Sequence, residues 1–84
     1  MHELKKRPRR WAGMIPSTAP PDVLRDILLA LLYDFACGQR EAARLLAVDE
    51  RTLRRWCQDP SDEGYRAAPW ASVELLRRLL IERR

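Results

Sequence analysis

The sequence predicts an all-α domain of four to five helices behind a basic N-terminal arm. Three observations lead there. Apolar residues recur at steps of three and four through two long stretches, the period of a helix packed by one face. No stretch alternates apolar and polar residues in the manner of a strand, and no internal repeat is present. All six prolines fall outside the periodic stretches, and those at positions 16, 20, 21, 60 and 69 punctuate helices instead of breaking them.

Residues 1–21 divide into a basic arm and a Pro-rich connector, IPSTAPP, expected to be extended and flexible. Trp11 and Ile15 either pin the end of this segment to the domain or leave the indole in solvent. Residues 22–84 form the domain. Helix 1 starts at Asp22 or a neighbour, with Pro21 suited to the first turn, and runs to about Phe35. Its stripe is Leu24, Ile27, Leu28, Leu31, Leu32 and Phe35, widened by Leu29 and Tyr33. Residues 36–38, Ala-Cys-Gly, then break it. Helix 2 runs from Gln39 to about Ala47 with Ala42, Ala43, Leu45 and Leu46 inward, Ala43 being small enough for a close helix crossing.

Val48 plugs the turn, and the Asp49 carboxylate is placed to cap helix 3 by accepting a backbone N–H. Helix 3 extends from Glu50 to about Cys57. Leu53 and Trp56 face the core, with Thr52 beside them, while Arg51, Arg54 and Arg55 face out. A loop rich in acids follows, holding Pro60 and Gly64. Pro69 opens helix 4, which continues to about Glu82 with Trp70, Val73, Leu76 and Leu80 in line and Leu75, Leu79 and Ile81 beside them. That stripe is wider than one small core requires.

Bulk composition narrows the function. Eighty-four residues with 46% hydrophobic content support one modest core and no separate catalytic domain. No apolar run approaches the roughly 20 residues of a membrane span, and the basic N-terminus lacks the apolar segment of a signal peptide, so a cytoplasmic protein is expected. Cys37 and Cys57 read as free thiols acting as small apolar side chains. With His2 the single histidine, there is no metal-ligand set, no cofactor is expected, and no nucleophile, base and orienter cluster marks an enzyme. The net charge is +4, but Lys5, Lys6, Arg7, Arg9 and Arg10 carry the excess: without them eleven basic residues face twelve acidic ones. Such an arm binds polyanions through counterion release, here DNA phosphates, or merely aids solubility.

Residues 39–56 carry the functional signal. A small residue midway along one helix, a short turn with an apolar plug, and a second helix apolar inside and polar outside are the requirements of a helix-turn-helix. Ala43, Val48 and the Leu53–Trp56 pair meet them. The outer face of helix 3 then fits the major groove, where arginine reads guanine O6 and N7. Arg51 and Arg55, four apart, are the expected base readers. Arg54 is divided between phosphate and solvent, and Gln39 and Arg40 at the start of helix 2 are expected phosphate anchors. Glu50 either accepts from a cytosine N4 or simply suits a helix N-terminus. Arg44 is expected in solvent. Tyr65 packs on the core or, with Arg66, touches the DNA backbone.

These residues resemble the Cro/cI-type, or XRE-like, helix-turn-helix family and its lambda-repressor-like fold. Gln39, Ala43, Val48, Thr52, Leu53 and Trp56 match its pattern over about 18 residues, whereas Ala47 stands for the usual turn glycine and Asp49 for the capping serine or threonine. The glycine replacement means either a turn without a left-handed residue or one that carries a small strain. Over about residues 36–80, QREAARLLAVDERTLRRW, an acidic loop and GYRAAPW followed by an apolar helix look like the small anti-CRISPR-associated regulators of phages. That resemblance implies a dimeric repressor of its own operon on an inverted repeat, with Arg40 and Arg51 at the DNA; Thr52, Arg54 and Arg55 of helix 3 are expected beside them. The pattern often carries a second basic residue where this chain has Glu41, and it has no clear counterpart of the arm.

A homodimer is expected because one monomer has a small footprint. Trp70, Val73, Leu76, Leu79 and Leu80 form the expected dimer face, with helix 1 as the other choice and completion of the monomer core as the plainer role for helix 4. No small-molecule ligand or membrane partner is expected. The competing reading is an antitoxin or adaptor built on the same fold, which binds a protein through its N-terminal segment.

Overall fold

The computed structural model describes residues 11–83, so Lys5, Lys6, Arg7, Arg9, Arg10 and Arg84 lie outside the described residues. Within them the chain is all-helical. Four helices follow one another and no strand forms: α1 (Pro21–Asp34), α2 (Gln39–Leu46), α3 (Glu50–Cys57) and α4 (Trp70–Glu82). No described helix is long and apolar enough to cross a membrane.

Each start and stop has a local cause. Pro21 and Pro69 flank helix starts, where a missing N–H costs nothing. The Leu24 N–H reaches the Pro20 carbonyl at 2.9 Å and the Val73 N–H the Pro69 carbonyl at 3.2 Å, opening α1 and α4. At the end of α1, Ala36 adopts φ 51° and the Cys37 N–H donates to the Leu32 carbonyl at 2.9 Å, with Ala36 N–H on Tyr33 at 3.2 Å. At the end of α2 the pattern repeats: Ala47 has φ 57°, the Val48 N–H reaches the Ala43 carbonyl at 3.0 Å, and the Ala47 N–H reaches Arg44 at 3.2 Å. Both are Schellman closures with alanine where glycine is usual. The turn at Ala47 is therefore left-handed and strained, which decides between the two readings the sequence left open.

The core is one cluster drawn from every helix. α1 gives Leu24, Leu28, Leu31 and Phe35; α2 gives Ala42, Ala43 and Leu46; α3 gives Leu53 and Trp56; α4 gives Val73, Leu76 and Leu80. α2 packs on α3 and α4, and α1 packs on both α3 and α4. Tyr33 does not widen the α1 stripe, because it is 86% exposed. It sits two residues past Leu31, where the helical period carries it away from the core face.

The connector joins this core. Trp11 and Ile15 are buried and hold the described part of the segment against the helices, while most of residues 12–20 are exposed. Three residues of α4 hold it. Glu74 accepts the Ile15 N–H at 3.0 Å, and Arg77 Nη1 donates to the Trp11 carbonyl at 2.6 Å. The Trp70 indole donates to the Ile15 carbonyl at 2.7 Å, and the Trp11 indole donates to Asp34 at 2.8 Å. Pinning is thus the observed state of Trp11.

Candidate nucleic-acid interface

α3 is short, and its two sides differ sharply. Leu53 and Trp56 are buried, three residues apart, and fix the inner face. Arg51 and Arg54 are exposed, while Thr52 and Arg55 are half-buried. The 3.6-residue period places Arg51 and Arg55 on neighbouring turns of one face. Gln39 and Arg40, on the first turn of α2, are exposed. Arg44 is exposed as expected.

The turn between α2 and α3 positions this surface. Val48 is half-buried and packs against the core. Asp49 precedes the first turn of α3, and its carbonyl receives the Leu53 N–H at 3.1 Å. Its carboxylate makes no capping hydrogen bond, contrary to the side-chain cap expected from sequence. The residue keeps its extended backbone, φ −62° and ψ 143°, with the side chain exposed to water, which competes for the same acceptor.

Charged partners that the sequence did not reveal surround the pair of helices. Arg40 Nε lies 3.5 Å from Glu50 Oε1, joining the first turn of α2 to the first turn of α3. The Glu50 carboxylate therefore faces an arginine as well as the positive end of its own helix. Glu41 accepts from Arg83 Nη1 at 2.6 Å, which ties α2 to the end of α4 and holds the Glu41 carboxyl below the usual carboxylate range. At the far end of α3, Arg25 of α1 donates Nε to the Gln58 carbonyl at 2.7 Å and Nη2 to the Cys57 carbonyl at 3.3 Å. The Arg66 N–H reaches the Arg55 carbonyl at 3.3 Å. The Arg66 guanidinium is spent locally, on the Tyr65 carbonyl at 2.8 Å and the Glu63 carbonyl at 3.3 Å. Tyr65 itself is half-buried.

The two cysteines are unpaired. Burial pushes both thiols up, with the nearby Glu41 carboxylate adding to the effect at Cys37, so both stay protonated at neutral pH and lack the thiolate that nucleophilic chemistry needs.

The five residues expected at a dimer face do not share one environment. Val73, Leu76 and Leu80 have no exposed surface and lie in the core of a single chain. They are not free to meet a second copy, because the sheer width of the α4 stripe is absorbed by α1 and α2. Trp70 and Leu79 are half-buried. The large exposed apolar side chain of α4 is Leu75, at 45%, in a shallow dent shared with Trp70, Ala71, Glu74 and Arg78.

No known protein family, curated protein or solved structure matches the chain.

Proposed function

We propose that this chain is a sequence-specific DNA-binding repressor in which α2 and α3 form a helix-turn-helix. The observation that carries the reading is the two-sidedness of α3: Leu53 and Trp56 buried, Arg51 and Arg54 exposed, Arg55 beside them. A helix seated on its scaffold by two side chains and presenting arginines outward fits the major groove, and its guanidinium forks match guanine. Gln39 and Arg40, beside α3, supply the phosphate anchors that set register. The basic arm adds non-specific affinity through Lys5, Lys6, Arg7, Arg9 and Arg10.

The protein acts as a homodimer on two half-sites about one helical turn, roughly 34 Å, apart. Leu75 and the half-buried Trp70 and Leu79 are the apolar surface that α4 retains for that contact. The likeness to anti-CRISPR-associated regulators makes the operator an inverted repeat in the promoter of the chain's own operon. Enrichment of bound duplexes from a random pool tests the reading. An inverted repeat that recurs upstream of the gene supports autorepression, and a bound pool with no preferred motif rejects the repressor.

A further inference from the structure

α3 has only eight residues and two buried side chains, Leu53 and Trp56, on one line. These two contacts, with half-buried Cys57 beside them, lie along one face and set the depth of the helix more firmly than its orientation, to which groups at its two ends contribute, the Arg66 N–H on the Arg55 carbonyl among them. At the N-terminal end the Arg40–Glu50 contact is 3.5 Å long and Arg40 is 80% exposed, a weak tether. The C-terminal end is held differently. Arg25, with its side chain only 22% exposed, aims Nε and Nη2 at the Gln58 and Cys57 carbonyls, two acceptors that helix geometry leaves without intrahelical partners. Its charge also matches the negative end of the helix dipole. The neighbouring Asp26 carboxylate, 4.0 Å from Nη1 and 78% exposed, is the looser of its partners.

We propose that Arg25 is a positioning residue for DNA readout: from α1 it clasps the last carbonyls of α3 and fixes the tilt at which Arg51, Arg54 and Arg55 are presented. This inference rests on the repressor reading. It concerns discrimination between sequences and not affinity for DNA as such, because tilt decides whether guanidinium forks meet base edges, whereas phosphates accept many orientations. Lysine at this position keeps the charge but lacks the planar fork that meets two carbonyls at once. Methionine keeps much of the apolar stem and removes every donor.

The test uses the full chain and the duplex enriched by the wild type, with a scrambled duplex as reference. Affinity for both is measured for wild type, Arg25→Lys and Arg25→Met, at a temperature where melting curves show each variant folded. The ratio of scrambled to selected Kd is expected to fall about tenfold in Arg25→Met, the worth of one charge-assisted hydrogen bond. It is expected to fall about threefold in Arg25→Lys, which keeps part of that bonding, with the scrambled-duplex affinity of the lysine variant unchanged. A residue that merely stabilises the fold lowers the melting temperature and leaves this ratio alone. A ratio within twofold of wild type in the folded variants overturns the proposal. Should Arg25→Met not fold, Arg25→Lys alone decides it. A wild-type protein that enriches no sequence overturns the repressor reading instead, which is seen before any variant is made.

Discussion

The guanidinium of Arg77 and the carboxylate of Glu74 meet side-on inside the protein, Nε to Oε1 at 3.0 Å and Nη2 to Oε2 at 2.7 Å, with side chains only 8% and 6% exposed. The pair is one turn of α4, and it holds the connector through the Ile15 N–H and the Trp11 carbonyl. Arg78 adds a third contact at 3.2 Å. Desolvating two charges is compensated here by filling their hydrogen-bonding capacity, the condition under which such a pair is tolerated.

Acid titration follows from this pair. Hydrogen bonds from Arg77 hold the Glu74 carboxyl down to about 2, against an ordinary 4.5. A folded-state pKa below the unfolded one means stability that is complete above about pH 4.5 and lost as pH falls towards 2. Glu74→Gln should cost roughly 3 kcal/mol at pH 7, as expected when one partner of a buried pair is removed. The gap between variant and wild type should close on acidification to pH 2, read from denaturant unfolding at a series of pH values. A gap that stays constant with pH would show that the carboxylate charge is not what holds the connector.

Ala47 and Ala36 both sit in the left-handed region. A left-handed alanine costs about 1–2 kcal/mol, partly offset in a glycine variant by about 0.4–1 kcal/mol of extra unfolded-chain entropy. Ala47→Gly should therefore stabilise the fold by roughly 0.5–1 kcal/mol, a rise of several degrees in Tm for a domain of this size. A lower Tm in Ala47→Gly would mean the turn is not strained.

The helices were legible in the sequence; the ties between them were not. Leu24, Leu28, Leu31 and Phe35 recur with the helical period, so α1 and its buried face follow from spacing alone. The α2–α3 offsets are equally local. Arg25 and Gln58 are 33 residues apart, and Arg77 and Trp11 are 66 apart, distances over which no sequence period acts. A charged residue on a helix reads as solvated by default, so the burial of Glu74 and Arg77 is hidden in the sequence. The one available signal was their spacing of three, flanking Val73, Leu76 and Leu80, with Trp70 a turn earlier. Val73, Leu76 and Leu80, expected at a dimer face, lie in the core for the converse reason: an apolar stripe gives its width but not how many neighbours will cover it.

Glu50 restrains Arg40 in the free protein. Glu50→Gln should release that guanidinium to phosphate and remove a negative charge from the proposed DNA-facing surface. Affinity for non-specific duplex should rise a few-fold, with the slope of log K against log salt unchanged, because Arg40 already contacts phosphate and only a competing carboxylate is removed. An affinity no higher than wild type would place Arg40 away from the DNA backbone.

Leu75 and Val73 separate the proposed dimer contact from the core. Leu75→Asp, at an exposed position, should leave the melting temperature of the monomer within a few degrees and shift the sedimentation coefficient from dimer to monomer. Val73→Asp should unfold the chain outright, because it buries an unpaired charge. A Leu75→Asp protein that still sediments as a dimer would move the interface off α4.

The central claim is that the outer face of α3 reads sequence, and Arg51→Ala tests it most directly. Wild type and variant are taken in parallel through enrichment from a random duplex pool, with circular dichroism showing both folded. The variant should retain the inverted repeat but lose preference at one or two base pairs in each half-site, weakening binding to the wild-type repeat by about 1–3 kcal/mol. Enrichment of the same motif with the same preference at every position, in a folded Arg51→Ala protein, would contradict it.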